Sequence, residues 1–151
     1  MAIPTKPLKL IGTTDCIDLP EFNMTNLECK IDTGAETSSI HCSRVTLKER
    51  EGKEFISFHI LDNKHPEYTG LNFECFEFKE KKIKSSFGSI EFRFAIKANV
   101  ILFGKVYPIW FTLSDREKMR YPVLLGKGFL KNRFLVDVSQ KDLSFLTKPE
   151  K

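Results

Sequence analysis

The sequence predicts a mainly β fold, built as a closed or partly closed β barrel with one short C-terminal helix. Apolar and polar residues alternate in several short runs, which is the pattern of strands with one buried face. Turn residues separate these runs at regular intervals, as is typical of barrels. The 151 residues are 41% hydrophobic and include 14 Phe, which is enough for one packed core.

Four strands follow directly from this alternation, in residues 27–31, 56–60, 92–96 and 107–113. Between them, in residues 71–78, the alternation of apolar and polar residues changes phase, because the adjacent residues Cys75 and Phe76 are both apolar. This change of phase indicates a bulge, a bend or a strand covered on both sides. Residues 61–70 contain Pro66 and Gly70, and their composition leaves open whether they form a flap or only a long hairpin.

The C-terminal third predicts a strand, a helix and a further strand in close succession. Residues 123–125 are fully apolar and end at Gly126. Residues 127–133 predict the short helix, and residues 134–138 predict the last strand.

We expect a single domain over residues 1–151, with residues 1–10 as an N-terminal extension and residues 147–151 as a frayed tail. Prolines and lysines interrupt the first twelve residues, and no later segment has membrane-spanning length. These features predict a cytoplasmic protein with no membrane partner. The four Cys are widely spaced, which favours free thiols.

The net charge is small, because 24 Lys and Arg residues against 20 Asp and Glu residues give +4. We therefore predict no nucleic-acid partner. Four lysines cluster at positions 79, 81, 82 and 84. They are interpreted either as a protected strand edge or as a rim that binds acidic groups. A basic sheet with exposed aromatics that binds single-stranded nucleic acid would also explain the Lys and Phe content.

One tripeptide, Asp32-Thr33-Gly34, carries the strongest functional signal. It follows a predicted strand, so a carboxylate stands at a strand end beside a hydroxyl and a flexible Gly. Alone, such a tripeptide is usual in ordinary turns. Much later the chain has the apolar segment Val123 to Leu125 followed by Gly126. Together the two segments resemble the two halves of the active-site loop of an aspartic peptidase.

The resemblance is to retropepsin-like aspartic endopeptidases of bacteria, a family often labelled ATP-dependent zinc proteases. Its pattern runs along nearly the whole chain, through Ile11-Gly12, Leu19-Pro20, Lys30 to Ala35, Thr37-Ser38, His41, Ile83 to Ser86, Gly88, Thr112-Leu113, Arg116, Met119, Leu124 to Gly126 and Val136-Asp137. Two positions depart from the pattern. The family usually has a basic residue in place of Glu36 and Arg in place of Lys127. Glu36 is expected to disfavour acidic substrates, and Lys127 lacks the bidentate fork of Arg.

The resemblance implies a catalytic dyad. Because there is no second Asp-Thr-Gly, the dyad would need Asp32 from each protomer of a homodimer, with the two carboxylates sharing a proton around one water. Thr33 would hold the paired loops together, and Gly34 would let the substrate backbone approach. The substrate is predicted to be a peptide or protein, and the family suggests Glu-rich tails. The predicted substrate-binding residues are Ala35, Lys84, Ser85, Arg116 and Lys127.

No cofactor and no metal are predicted. The chain lacks His-Glu-x-x-His, and Gly126-Lys127-Gly128 lacks the upstream Gly of a phosphate-binding loop. A metal site that uses His41, Cys42 and Cys29 is a minor alternative. An alternative function is a catalytically silent, dimeric peptide-binding module with the same fold.

Overall fold

The computed structural model describes residues 7–84, 87–115 and 120–149. Within these ranges it has eleven strands, a 3₁₀ turn at Pro20–Phe22 and two helices of four residues each. The strands are β1 (Lys9–Ile11), β2 (Thr14–Leu19), β3 (Met24–Ile31), β4 (Ser38–Arg50), β5 (Lys53–Ile60), β6 (Phe73–Cys75), β7 (Phe78–Lys84), β8 (Ile90–Leu102), β9 (Lys105–Ser114), β10 (Val123–Leu125) and β11 (Phe134–Val136). The helices are α1 (Lys127–Leu130) and α2 (Leu143–Leu146).

The main sheet closes on itself through β10. Strands β3, β2, β8, β9 and β4 follow one another, and β10 pairs with both β3 and β4. β10 runs parallel to β3 and antiparallel to β4. The ring is nearly open at the β2–β8 contact, where Asp18 and Ile101 are the paired residues. The predicted partly closed β barrel is therefore confirmed.

The barrel interior is filled by the alternating side chains that the sequence indicates. In β2, for example, Ile17 and Leu19 are fully buried, whereas Asp18 between them is not. Aromatic rings pack at one end, where Phe22 meets Phe58 and Phe73 edge-on at centroid distances of 5.9 and 4.9 Å. Each large apolar side chain buried in this way contributes about 1.5–3 kcal/mol.

Two hairpins extend beyond the ring, β4–β5 and β7–β8. Residues 61–70 form the long loop between β5 and β6, which pair with each other. The Tyr68 hydroxyl lies 2.7 Å from His59 Nδ1 and fastens this loop to β5. A bend at residues 76–77 separates β6 from β7. Of the three explanations for the change of phase after Cys75, the structure therefore has the bend.

The C-terminal region differs in detail from the prediction. Helix α1 ends at Leu130 and β11 at Val136, so both are shorter than predicted. Helix α2 was not predicted at all. It forms because the buried carboxylate of Asp15 accepts hydrogen bonds from the backbone N–H groups of Ser144 (2.9 Å) and Phe145 (3.0 Å). Those are N–H groups that a helix start leaves without partners.

Neither helix is long enough to cross a membrane, and no longer apolar helix occurs in the part of the chain that is described. The four cysteines are free. Burial raises the pKa of the Cys16 thiol to about 11 and that of Cys29 well above its ordinary value.

A close approach between the two ends of the chain depends on Gly12. The Thr13 N–H donates to the Gln140 carbonyl over 2.9 Å, which brings residues 140–141 directly against Gly12. A Cβ on Gly12 would overlap the Gln140 carbonyl and would lie 2.7 Å from the Lys141 nitrogen.

We therefore expect Gly12→Ala to lower the free energy of unfolding by about 3 kcal/mol, since the overlapping atoms are backbone and cannot rotate away. Urea denaturation measures this. Gly52→Ala is the control, because Gly52 has a φ of +81° but open space around it. It should lose only about 1 kcal/mol from backbone strain. Equal losses in the two variants would contradict the role of the close approach.

Candidate active site

The carboxylate of Asp32 is held at the end of β3 by its own loop. The Asp32 N–H donates to the Leu125 carbonyl (2.9 Å), and the Gly34 N–H donates to Asp32 Oδ1 (2.9 Å). The side chain of Asp32 is half-buried, whereas Thr33 and Gly34 are exposed. One carboxylate oxygen is thus fixed by the backbone, at the edge of an exposed loop.

The segment after β10 braces this loop from behind. Gly126 donates its N–H to the buried Ser38 hydroxyl over 3.0 Å, and Lys127 donates its N–H to the Ala35 carbonyl over 2.7 Å. A Cβ on Gly126 would lie 2.7 Å from the Thr37 carbonyl oxygen and 2.8 Å from that of Ala35. Only Gly at position 126 allows the two backbones to approach so closely.

The two departures from the family pattern contact each other. Lys127 Nζ lies 3.5 Å from Glu36 Oε2, and the two side chains are 55% and 75% exposed. Such an exposed pair contributes little to stability. The position of the pair matters more, because the pair links Glu36, next to the Asp32 loop, to Lys127 at the start of α1.

A groove of about 350 Å³ adjoins the loop. Its lining includes Glu36, Ser38, Lys81, Trp110, Phe129 and Arg133. Arg133 Nη1 donates to the Phe129 carbonyl over 2.8 Å. Lys79 Nζ lies 4.0 Å from the centre of the Trp110 ring, in a cation–π contact. The groove lining therefore combines aromatic side chains with several charged ones.

The structure brings part of the predicted site together. Asp32, Thr33, Gly34 and Ala35 form the loop, and Lys127 contacts it. Lys84 is the last residue of β7, but its side chain lies outside the described residues. The predicted site residues Ser85 and Arg116 also lie outside them, so their roles stay predictions.

Sequence reasoning missed Trp110 and Arg133. Each had one signal: Trp110 is the only Trp of the chain, and Arg133 follows Phe129 by four residues. Neither signal shows that β9 and the segment after α1 meet at one groove.

A second polar cluster surrounds His41, which is buried in β4. Its Nε2 lies 2.5 Å from Asp62 Oδ2, and its Nδ1 lies 3.8 Å from Asp115 Oδ1. The hydrogen bond from His41 is the main cause that lowers the pKa of Asp62, and a bond from the Lys64 N–H adds to it. This cluster connects β4 with the 61–70 loop and with the end of β9.

The His41 cluster is not arranged as a metal site. Its two carboxylates lie on different nitrogens of the ring, so the three groups do not converge on one point. Among the described residues, no three His, Cys, Asp or Glu side chains are grouped so that they could hold an ion. The absence of a resident metal stays a prediction.

Comparison with known proteins identifies the family. A sequence profile for RimB-like proteins, described as retropepsin-like aspartic endopeptidase RimB, matches residues 10–145. This match includes the Asp32 loop, β10 and α1.

Two curated relatives are each named probable alpha-L-glutamate ligase. The one from Desulfotalea psychrophila is 32% identical over 129 residues, which are 85% of this chain and 28% of the relative. The one from Shewanella halifaxensis is 32% identical over 131 residues, which are 87% of this chain and 29% of the relative. The chain therefore spans less than a third of the length of the curated relatives it matches.

A solved structure shares the fold. The crystal structure of a Legionella pneumophila protein of unknown function superimposes with a TM-score of 0.66 and 24% sequence identity. The superposition covers 90% of this chain and 98% of the Legionella chain.

Gly126→Ala should lower the free energy of unfolding by about 2 kcal/mol or more, because the added methyl group meets two backbone carbonyls of the Asp32 loop. Thermal and urea unfolding measure this. Gly128→Ala is the matched control, since its Cβ would lie 3.1 Å from the Glu36 carbonyl and needs only a small shift. A loss in the control as large as that in Gly126→Ala would show that β10 does not constrain the loop in this way.

Asp62→Asn should destabilise the protein in a pH-dependent manner. A carboxylate whose pKa is lowered by folding contributes stability above its unfolded pKa, about 3.9. That stability disappears as the pH falls through the lower folded-state pKa. The difference in unfolding free energy between wild type and Asp62→Asn should therefore be largest near neutral pH and shrink in acid. A difference that stays constant from pH 7 to pH 2 would contradict this assignment.

Proposed function

The chain belongs to the RimB-like family of retropepsin-like aspartic endopeptidases, and from this premise we propose that it hydrolyses peptide bonds with water activated by two Asp32 carboxylates. The observation that supports this is the Asp32 loop itself. Its carboxylate is fixed by the Gly34 N–H, it is braced by β10, and it stands beside exposed residues that a second loop can approach.

The proposed enzyme is a homodimer, because one chain supplies a single Asp-Thr-Gly. Two carboxylates at close range do not both ionise, so one proton is shared between them. The ionised Asp32 removes a proton from the water, and the protonated Asp32 donates a hydrogen bond to the scissile carbonyl. The water oxygen bonds to the carbonyl carbon, the carbon–nitrogen bond breaks, and the leaving nitrogen takes up the proton that Asp32 removed from the water.

The small β1–β11 sheet offers a surface for the second copy. Leu10 and Leu135 are paired in register and are 45% and 56% exposed. Val138, just beyond β11, is 80% exposed. Within the described residues β1 pairs only with β11, so this sheet has unpaired edges. Apolar side chains and open strand edges together favour association.

We assign the substrate-covering flap to the β7–β8 hairpin. Lys81 of β7 lines the groove beside the Asp32 loop, so this hairpin stands next to the site. Near its tip Phe87, Ile90 and Phe92 are 94%, 54% and 62% exposed. The 61–70 loop is less suited to this role, because His59 and His41 fasten it through Tyr68 and Asp62.

The proposed substrate is a peptide segment rich in Glu, such as a tail on a ribosomal or other protein. The named activity of the curated relatives supports this, since a region similar to this chain forms part of probable alpha-L-glutamate ligases. Lys127, Lys84, Ser85 and Arg116 are the proposed contacts, with Ala35 beside the substrate backbone. A ribosomal substrate implies a cytoplasmic enzyme. No step of this mechanism uses a metal or an organic cofactor.

Asp32→Asn should abolish cleavage, because an amide cannot serve as the general base. The assay is digestion of a peptide library that includes Glu-rich tails, with products identified by mass spectrometry. Mixing wild type with excess Asp32→Asn protein should lower activity further than dilution does, since mixed dimers hold one carboxylate. Light scattering of both proteins should give the mass of a dimer.

The control is Glu54→Gln, which removes a carboxylate near the far turn of the β4–β5 hairpin. It should cleave at the wild-type rate. Cleavage by Asp32→Asn would refute the mechanism. Absence of cleavage by wild type, together with peptide binding, would instead support the silent binding module.

A further inference from the structure

Two cations in the groove, Lys81 and Arg133, have no acidic partner among the residues that the structure describes. Lys81 extends from β7 and Arg133 from the turn after α1, and both line the groove beside Glu36 and Ser38. Neither forms an ion pair with a carboxylate of the described residues, whereas Arg50, Arg93, Lys127 and Lys148 do. Positive charge in the groove is thus available to a ligand.

Arg133 is held in place before any ligand binds. Its Nη1 donates to the Phe129 carbonyl over 2.8 Å, and its guanidinium lies 5.3 Å from the centre of the Phe129 ring. A guanidinium has five N–H donors, so most remain for a carboxylate. A preorganised donor loses less entropy on binding than a flexible one.

The groove lining also carries the negative charge of Glu36. Glu36 is 75% exposed and lies four residues after Asp32. Its backbone carbonyl accepts a hydrogen bond from the Gly128 N–H over 3.0 Å, which fixes its position beside α1. Its carboxylate also holds Lys127 Nζ at 3.5 Å. An acidic group that enters the groove beside Glu36 therefore meets a like charge.

We propose that the groove binds one acidic side chain of the substrate at Lys81 and Arg133, and that Glu36 rejects a second acidic residue directly beside it. This inference rests on the proposed function, since the groove is a substrate subsite only if the Asp32 loop cleaves peptides. The preferred substrate class is then a peptide in which an acidic residue neighbours a neutral or basic one. In a Glu-rich tail, the bond that is cleaved best is therefore one where the run of Glu meets a neutral or basic residue.

The test uses three peptides that differ at two adjacent positions, Gln-Gln, Glu-Gln and Glu-Glu. The positions are chosen first by scanning a single Glu along a neutral peptide that wild type cleaves. Wild type should show a higher kcat/KM for Glu-Gln than for Gln-Gln, and a lower one for Glu-Glu than for Glu-Gln. Charge effects of this kind at exposed sites amount to roughly threefold to tenfold and shrink at high salt.

The variants separate the effect of Glu36 from the effect of the two cations. Glu36→Gln should raise the ratio of Glu-Glu to Glu-Gln cleavage by roughly threefold to tenfold. Lys81→Gln and Arg133→Gln should remove the preference of Glu-Gln over Gln-Gln, and Arg133→Lys should keep part of it. Lys53→Gln is the control, because it removes a lysine at the turn of the β4–β5 hairpin. It should change neither ratio.

Two results would overturn the inference. Unchanged ratios in Glu36→Gln and Arg133→Gln, with cleavage that still depends on Asp32, would refute the subsite and leave the proposed function intact. If no peptide is cleaved, the proposed function fails, and fluorescence anisotropy with labelled forms of the three peptides tests the groove directly. Equal affinity of wild type for the three would then refute the subsite as well.

Discussion

The passage of β10 between β3 and β4 is the constraint on which the rest of the structure depends. This three-residue strand closes the ring by pairing with both neighbours, and its last residue accepts the N–H of Asp32. Directly after it, Gly126 and Lys127 bind Ser38 and Ala35. Barrel closure and placement of the candidate catalytic carboxylate therefore depend on the same segment, and a side chain at residue 126 would collide with the backbone of the Asp32 loop.

Much of the fold could be predicted because its signals are local. Alternation marks β5, β8 and β9, and an apolar triplet ended by Gly marks β10. Helix α2 could not be predicted, since its start is capped by Asp15, which lies 129 residues before Ser144 in the sequence. That carboxylate is buried only in the folded protein, and the residues around α2 give no sign of it.

The candidate site also has one part that is visible in the sequence and one part that is assembled only by folding. The Asp-Thr-Gly loop is contiguous in the sequence, so its residues could be identified directly, and their catalytic roles stay proposals. The groove is assembled from β4, β7, β9 and the α1 region, so Trp110 and Arg133 become neighbours only after folding. Glu36 and Lys127 are instructive, because two departures that look independent in sequence form one pair in space. The reversal of charge at position 36 thus places a carboxylate beside the cation at position 127.

The joining of the two chain ends has a consequence for synthesis on the ribosome. Strand β2 is complete by residue 19, yet its Asp15 accepts hydrogen bonds from residues 144 and 145, and Gly12 lies directly against residues 140–141. Contacts of such long sequence separation form late. The nascent chain must therefore keep its first strands without their final neighbours until nearly the whole domain has emerged, and during that time open strand edges are exposed to other chains.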